Sequence, residues 1–429
     1  MTQSTICLII FAITIVCYVS NKWPLALVSL TSMIAMTLFG CLTPQDALGN
    51  FANSSVIIMG AMMVIAAGLN RTQMIHKVTN LVYKVSGGSF TKGMFGYCLV
   101  TFAVAQVMPS SIVIFTICAP LVADFCRKSG KSPAAGLFSV CLIAVTSVCA
   151  MPIGSGAANY LMVNSQLEAF GFSGYEAHMF DFFIIKIPSL IVSVICGAFI
   201  CPKFAPDNGP LLSENEKKAM ENKIAPLDPV REFFGYGIFL AVVICMLLGD
   251  RLPLQTWQIC VAGALMVVIT GVLSEKEALS SIMLSPIFLL VGALGIGKAV
   301  SNSGAGDVLT SFIQNILGAD PNPWVVTIVL WLTAFIVTQF MSNMALMTAM
   351  GPLVYLLCLS YNWNPIGLVY MVNTACFISY LTPLSTVAVP YMMSIGDYTQ
   401  KDLLKMGWIP AILVTLVTIP WVMLVFPPC

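Results

Sequence analysis

The stretches VIIMGAMMVIAAGL (residues 56–69) and LLVGALGIGKAV (289–300) say nearly the same thing twice. Gly60-Ala61 in the first falls on Gly292-Ala293 in the second, 232 residues later. At the same offset Ser110 of MPSSIVIFTICAPL (108–121) falls on Ser342 of MSNMALMTAMGPL (341–353), and Pro120 falls on Pro352. One residue out of step, Met151-Pro152 of CAMPIGSGAAN (149–159) answers Thr382-Pro383 of YLTPLSTVAV (380–389). Both copies are apolar and keep one order: a Gly-bearing helix, a polar-tipped hairpin, a Pro-broken helix, and a closing helix with a late proline (Pro188, Pro410). A duplicated apolar unit with paired helix breaks is the pattern of a repeat-built membrane bundle.

Composition agrees. Hydrophobic residues fill 59% of 429 positions, charged residues 9%, and the mean hydropathy is +0.94, which places the chain among polytopic membrane proteins. The net charge of +1 says nothing about nucleic acid, and no basic run is present to carry such binding, so no nucleic-acid partner is expected. The apolar stretch from Ile6 to Val19 has no basic leader and no A-x-A site, so it reads as a first span and not as a cleaved signal. The fifteen cysteines lie mostly inside apolar runs and form no C-x-x-C, so they read as small hydrophobes. The methionines are read the same way.

A span needs about 20 apolar residues. Helices are predicted near 5–20, 25–42, 55–70, 134–150, 181–201, 233–249, 255–273, 283–300, 366–381 and 407–426. Two further stretches, 94–126 and 324–359, are interrupted by Pro109-Ser110-Ser111 and by Ser342-Asn343; each could be two spans or one re-entrant hairpin. With the N-terminus outside, sixteen of the nineteen Lys and Arg fall on the inner face, and only Lys186, Arg251 and Lys298 fall outside. Either reading of the interrupted stretches returns the chain to its starting face, so charge fixes orientation and the polar tips argue for hairpins. The expected fold class is an all-α polytopic membrane protein of two inverted five-span repeats, each with a re-entrant helical hairpin and a broken helix.

The first repeat is expected over 1–201: scaffold helices 5–70, an interfacial arm 71–92, hairpin 94–126, broken helix 134–169 and closing helix 181–201. A cytoplasmic linker 202–232 holds most of the charge clusters. The second repeat, 233–429, has scaffold helices 233–300, arm 301–320, hairpin 324–359, broken helix 366–395 and closing helix 407–426. Both termini are expected outside a cell membrane.

Four breaks are expected at one depth: Ser110-Ser111, Gly154-Ser155-Gly156, Ser342-Asn343 and Thr382-Pro383. Unwound backbone inside a bilayer is tolerated only where protein buries it or a cavity lines it. Freed carbonyls and hydroxyls suit a small hard cation, and exposed helix N-termini suit an anion. No Asp or Glu falls near the middle of a span, so cation coordination must use neutral oxygens, which favours sodium over protons. GALGIGKAV (292–300) has the look of a nucleotide loop but lies inside a span, where close helix packing explains its glycines. His76 and His178 sit in polar loops without partner spacing. No H-E-x-x-H, paired aspartate or intramembrane Ser–base set is present, so no enzyme is expected, no cofactor, and no metal other than sodium.

Across almost its whole length the chain resembles the divalent anion–sodium symporter family of the ion transporter superfamily. The strongest piece is YLTPLSTVAVPYMMSIGDYTQKDLLKMGWIPAIL (380–413), similar to that family's Thr-Pro break followed by G-Y-x-x-x-D-[FL]-[LI]-K-x-G. MSNMALMTAMGPL resembles its second hairpin tip and MPIGSGAANYL (151–161) its first broken-helix loop. The resemblance implies inverted repeats, a homodimer, and a transport domain that moves as an elevator against a scaffold. It also implies sodium sites and a small anionic substrate, a dicarboxylate, related organic acid or sulfate-like ion. Carried over by position, sodium would meet Gln106, Ser110, Ser111, Gly154 and Ser155 in one repeat and Thr338, Met341, Asn343 and Leu381 in the other. Substrate would lie between Ser111, Ile112, Ser155, Asn159, Asn343, Met344, Thr382, Pro383 and Ser385. The tips depart from the family's Ser-Asn-Thr, reading Ser-Ser-Ile and Ser-Asn-Met. The alternative is a sodium-independent exchanger or efflux carrier, as in arsenite-type members of the superfamily.

The orientation is testable. A single cysteine placed at Lys217 on a Cys-depleted background should be labelled by an impermeant reagent from the cytoplasmic side only. Labelling from the outer side alone would reverse it.

Overall fold

The computed structural model describes residues 2–429 except 21, 73–88, 109, 153–155, 157, 207–226, 249–252, 306–307, 309–314, 316–317, 319, 341 and 384–385. Most of both expected arms and of the linker therefore lies outside the described residues.

In chain order the helices are α1 (Gln3–Ser20), α2 (Leu25–Leu38), α3 (Pro44–Gly49), α4 (Ser54–Asn70), α5 (Phe90–Ala105), α6 (Ser111–Lys128), α7 (Ala134–Ser147), α8 (Ala158–Ala169) and α9 (Asp181–Ile195). The second half adds α10 (Pro229–Leu248), α11 (Thr256–Ile269), α12 (Glu275–Ser281), α13 (Leu284–Asn302), α14 (Pro323–Val337), α15 (Asn343–Tyr361), α16 (Pro365–Cys376), α17 (Ala388–Gly396) and α18 (Gln400–Val425). The fold is all-helical, with two copies of one plan. α5–α6 and α14–α15 are the hairpins; α7–α8 and α16–α17 are the broken helices.

Local chemistry sets these ends. Asn322 and Asn364 each precede a proline at the first helical position, and their side chains accept from Trp324 N–H (2.9 Å) and Ile366 N–H (3.0 Å), starting α14 and α16. α15 and α17 stop at Asn362 and Asp397, both left-handed, at φ 55° and 54°. The closing helix α18 begins at Gln400, earlier than the expected 407, because Thr399 and Asp402 form a capping box that pulls the polar turn QKDLLK into the helix. The other closing helix, α9, ends at Ile195 and runs on through a π turn at Cys196–Ile200 and a short 3₁₀ turn at Cys201–Lys203.

Packing relates the copies by a pseudo-two-fold. α2 lies along α13 and α4 along α11, each pair joining one repeat to the other, while α9 lies along its counterpart α18. Lipid offers no hydrophobic drive for helices to associate, so small residues that allow close approach decide these contacts. A Cβ on Gly292 would run into Ser29, backbone included, and one on Gly295 would strike Met33. The repeated glycine has no matching role in the first copy: a Cβ on Gly60 would meet only the Ile287 methyl at 3.8 Å, and Gly68 makes the close contact there, against Val267.

The two helices at the centre are the first halves of the broken helices. All fourteen residues of α7 are buried, as is α16 apart from Asn373. A helix apolar all round is buried all round. α7 is enclosed by α5, α6, α9 and α17; α16 is enclosed by α14, α15, α9 and α18. One residue sits against expectation. Charge counting put Lys186 on the outer surface, yet it is fully buried on α9.

Because the Gly292 contact includes backbone, Gly292→Ala must push α2 off α13. The expected cost is about 1–3 kcal/mol of stability, read as a lower Tm in detergent, while Gly60→Ala should leave Tm near the parent value.

Candidate functional site

Each hairpin tip is tied to a helix break by a glutamine. Gln106 follows the end of α5; its Nε2 donates to the Phe102 carbonyl (2.7 Å) and across to the Ser147 carbonyl (3.1 Å) at the end of α7. Its Oε1 accepts Met151 N–H at 2.8 Å, on the far side of the break. Gln339 repeats this in the second copy: Nε2 to the carbonyls of Phe335 (3.0 Å) and Ile378 (2.6 Å), Oε1 from Leu381 N–H (3.3 Å). Backbone groups freed by an interrupted helix are costly unless satisfied. The two amides satisfy them in pairs, one carbonyl and one N–H on either side of each gap. Both ends of the Gln106 amide are thus engaged.

Further bonds draw the breaks together. Cys149 N–H donates to the Ala105 carbonyl at 3.3 Å, and Asn159 Nδ2 donates to the Cys149 carbonyl at 3.0 Å, so Asn159 braces the loop that it ends. A side chain on Gly156 would collide with the Met151 carbonyl, which makes glycine a requirement there. Thr382 Oγ1 donates to the Gln339 carbonyl. Ser111, at the start of α6, sets its Oγ 3.1 Å from Thr386 Oγ1 and so links the first tip to the second break. Gln400 Nε2 donates to the Leu381 carbonyl at 2.7 Å.

The second tip carries an oxygen cluster. Thr338 Oγ1 lies 2.8 Å from the Cys376 carbonyl, to which it donates, and 3.1 Å from Asn343 Oδ1. A hydroxyl has one hydrogen, so three oxygens converge with a single proton among them. The returning helix is capped by Ser342, whose Oγ accepts Ala345 N–H at 3.3 Å, so capping makes no demand on the Asn343 amide. In the first copy Ala105 precedes Gln106 where Thr338 precedes Gln339, and the hydroxyl is missing.

Of the remaining sequence candidates, Ser110 occupies the N-cap position of α6 without a side-chain capping bond, and Ile112 and Pro383 are half-buried at their gaps. Met344 is exposed at the second tip. Gly154, Ser155, Met341 and Ser385 lie outside the described residues. Sequence reasoning passed over Gln339, Thr386 and Lys186. For the first a signal existed: Gln106-Val107-Met108 and Gln339-Phe340-Met341 are one Gln-x-Met motif used twice.

The half-helices present N-terminal, positive ends (α6, α8, α15, α17) and C-terminal, negative ends (α7, α16) at these gaps, the arrangement by which broken-helix bundles hold ions and anions. Fold and breaks together fit the plan of membrane transporters, and the family comparison points to the same class. The citrate transporter family matches residues 9–374, and the chain belongs to it, within the ion transporter superfamily. It is 27% identical over 220 residues to the uncharacterized transporter sll0640 of Synechocystis, a match covering 50% of this chain and 35% of that one. It is 19% identical to the sodium-dependent dicarboxylate transporter SdcS of Staphylococcus saprophyticus, over 98% of this chain and 86% of the other. Its fold is similar to that of Neisseria gonorrhoeae MtrF, of a class described as antimetabolite efflux pumps, with a TM-score of 0.64 at 13% identity over 99% of this chain and 95% of that one.

Gln106→Ala and Gln339→Ala should each cost about 1–3 kcal/mol of stability, since each strands buried backbone groups on both sides of a break. Thermal melts in detergent check this; a parent-like Tm in both variants would remove the clamp role.

Proposed function

We propose that this transporter is a secondary active carrier that takes up a small anion (a dicarboxylate, related organic acid or sulfate-like ion) together with sodium. The observation that carries this reading is the cluster of Thr338 Oγ1, Asn343 Oδ1 and the Cys376 carbonyl, neutral oxygens with one hydrogen among them. Such a set suits a hard monovalent cation of modest charge better than a proton, which needs a basic site. The anion would lie at the positive helix ends beside Ser111, Ile112, Asn343, Met344, Thr382 and Pro383, with Ser155, Asn159 and Ser385 contributing from the breaks. Ser110, Gly154, Met341 and Leu381 complete the proposed cation ligands. Similarity to a sodium-dependent dicarboxylate transporter supports the same assignment. The working form is a homodimer in the cell membrane, both termini outside. Its hairpins and broken helices move together as an elevator, which the clamps between tips and breaks support.

A second reading, anion exchange or export without sodium, is favoured by one observation: Ala105 removes the hydroxyl from the first copy's equivalent of the cluster.

Uptake into proteoliposomes of succinate, citrate and sulfate, each with and without an inward sodium gradient, separates the two. Sodium-stimulated uptake of at least one anion is expected; flux of every anion that ignores sodium would leave the second reading. Asn343→Ala should weaken apparent affinity for sodium and anion together by about 10- to 100-fold, equivalent to about 1–3 kcal/mol.

A further inference from the structure

Lys186 is a buried cation with no ion-pair partner among the described residues. It is 0% exposed, and its Nζ has no hydrogen-bond partner among the described residues. The ammonium lies over two aromatic faces, 4.9 Å from the Phe182 ring centre and 4.3 Å from that of Phe377. Phe377 is the residue that ends α16, at the second break. The charge therefore sits beside the C-terminal end of α16, the negative pole of a half-helix. No described carboxylate pairs with it: of the helices packed on α9, α5, α7 and α16 contain no acidic residue, α18 has its Asp402 in the Thr399 capping box, and the Glu168 of α8 is exposed. Asp181, at the start of α9, is turned to His178 N–H at 2.7 Å.

An ammonium held this way is costly, and aromatic faces offset only part of the cost. Methionine or leucine would fill the same space more cheaply. A charge kept at such a position is explained by a ligand of opposite sign that arrives and leaves. The location agrees, because Phe377 follows Cys376, whose carbonyl belongs to the oxygen cluster of the second break.

We propose that Lys186 is the transporter's tethered cation: from beside the second break it balances the charge of the transported anion. This rests on the reading that the protein carries an anion at the paired breaks. It adds that one of the positive charges in the loaded site belongs to the chain, so the anion is held at a positive site even before sodium binds.

The test uses purified full-length protein and two variants, Lys186→Met and Lys186→Arg. Binding of succinate, citrate and sulfate is followed by ligand-induced shifts in melting temperature, and uptake by proteoliposome flux. Lys186→Met should lose at least 10-fold in apparent affinity for whichever anion the parent transports, while the anion-free protein melts at or above the parent temperature. Lys186→Arg, which keeps the charge, should retain measurable binding. Parent-like anion affinity in Lys186→Met would overturn the proposal. So would loss of binding in both variants together with lowered melting temperatures, since that marks a packing role. If the parent itself takes up no anion of the panel, the underlying reading fails and this inference with it; a transporting parent with an indifferent Lys186→Met removes this inference alone.

Discussion

The structure depends on satisfying a broken backbone where water is excluded. A helix that stops in the middle of a membrane leaves carbonyls on one side of the gap and N–H groups on the other, and hydrocarbon answers neither. Gln106 and Gln339 answer both, because a primary amide donates and accepts from the same planar end without carrying a charge. The hairpin that carries the glutamine and the broken helix that receives it become a single unit. Neither can shift alone without stranding polar backbone, so any movement of the site has to carry tip and break together.

That constraint also separates charge without ionised groups. Helices that end at a gap direct carbonyls into it, and helices that begin there direct N–H groups. Thr338 and the Cys376 carbonyl gather on the first kind of end, with Asn343 reaching them from the start of α15, and the starts of α6, α15 and α17 supply the second. Two opposite preferences thus lie a few residues apart on the same short loops. Lys186 is the exception, a full charge at a place otherwise handled by dipoles.

Much of this plan could be read from the chain. The offset linking Ser110 to Ser342 found both hairpins, since the serines are the cap positions of the returning helices α6 and α15. What escaped depended on partners distant in sequence. The bonds of Gln106 to Ser147 and Met151 were not legible, because those partners lie more than forty residues away. Lys186 was assigned to the surface because counting charges treats every lysine as solvated, and only the packing of α9 against α7 and α16 contradicts that. The start of α18 was missed because QKDLLK is polar enough to end an apolar window, although its capping box was present in the letters.

The way α7 is enclosed bears on how the protein is made. Its carbonyl at Ala134 and its N–H at Phe138 both meet the Tyr398 hydroxyl, which lies 260 residues or more further along the chain. α17 closes another side. During synthesis the first repeat therefore enters the bilayer with its central helix incompletely covered, and it waits while more than half of the polypeptide is still to be translated. Contacts of such long sequence separation form late, and the segments that await them are open to misassembly.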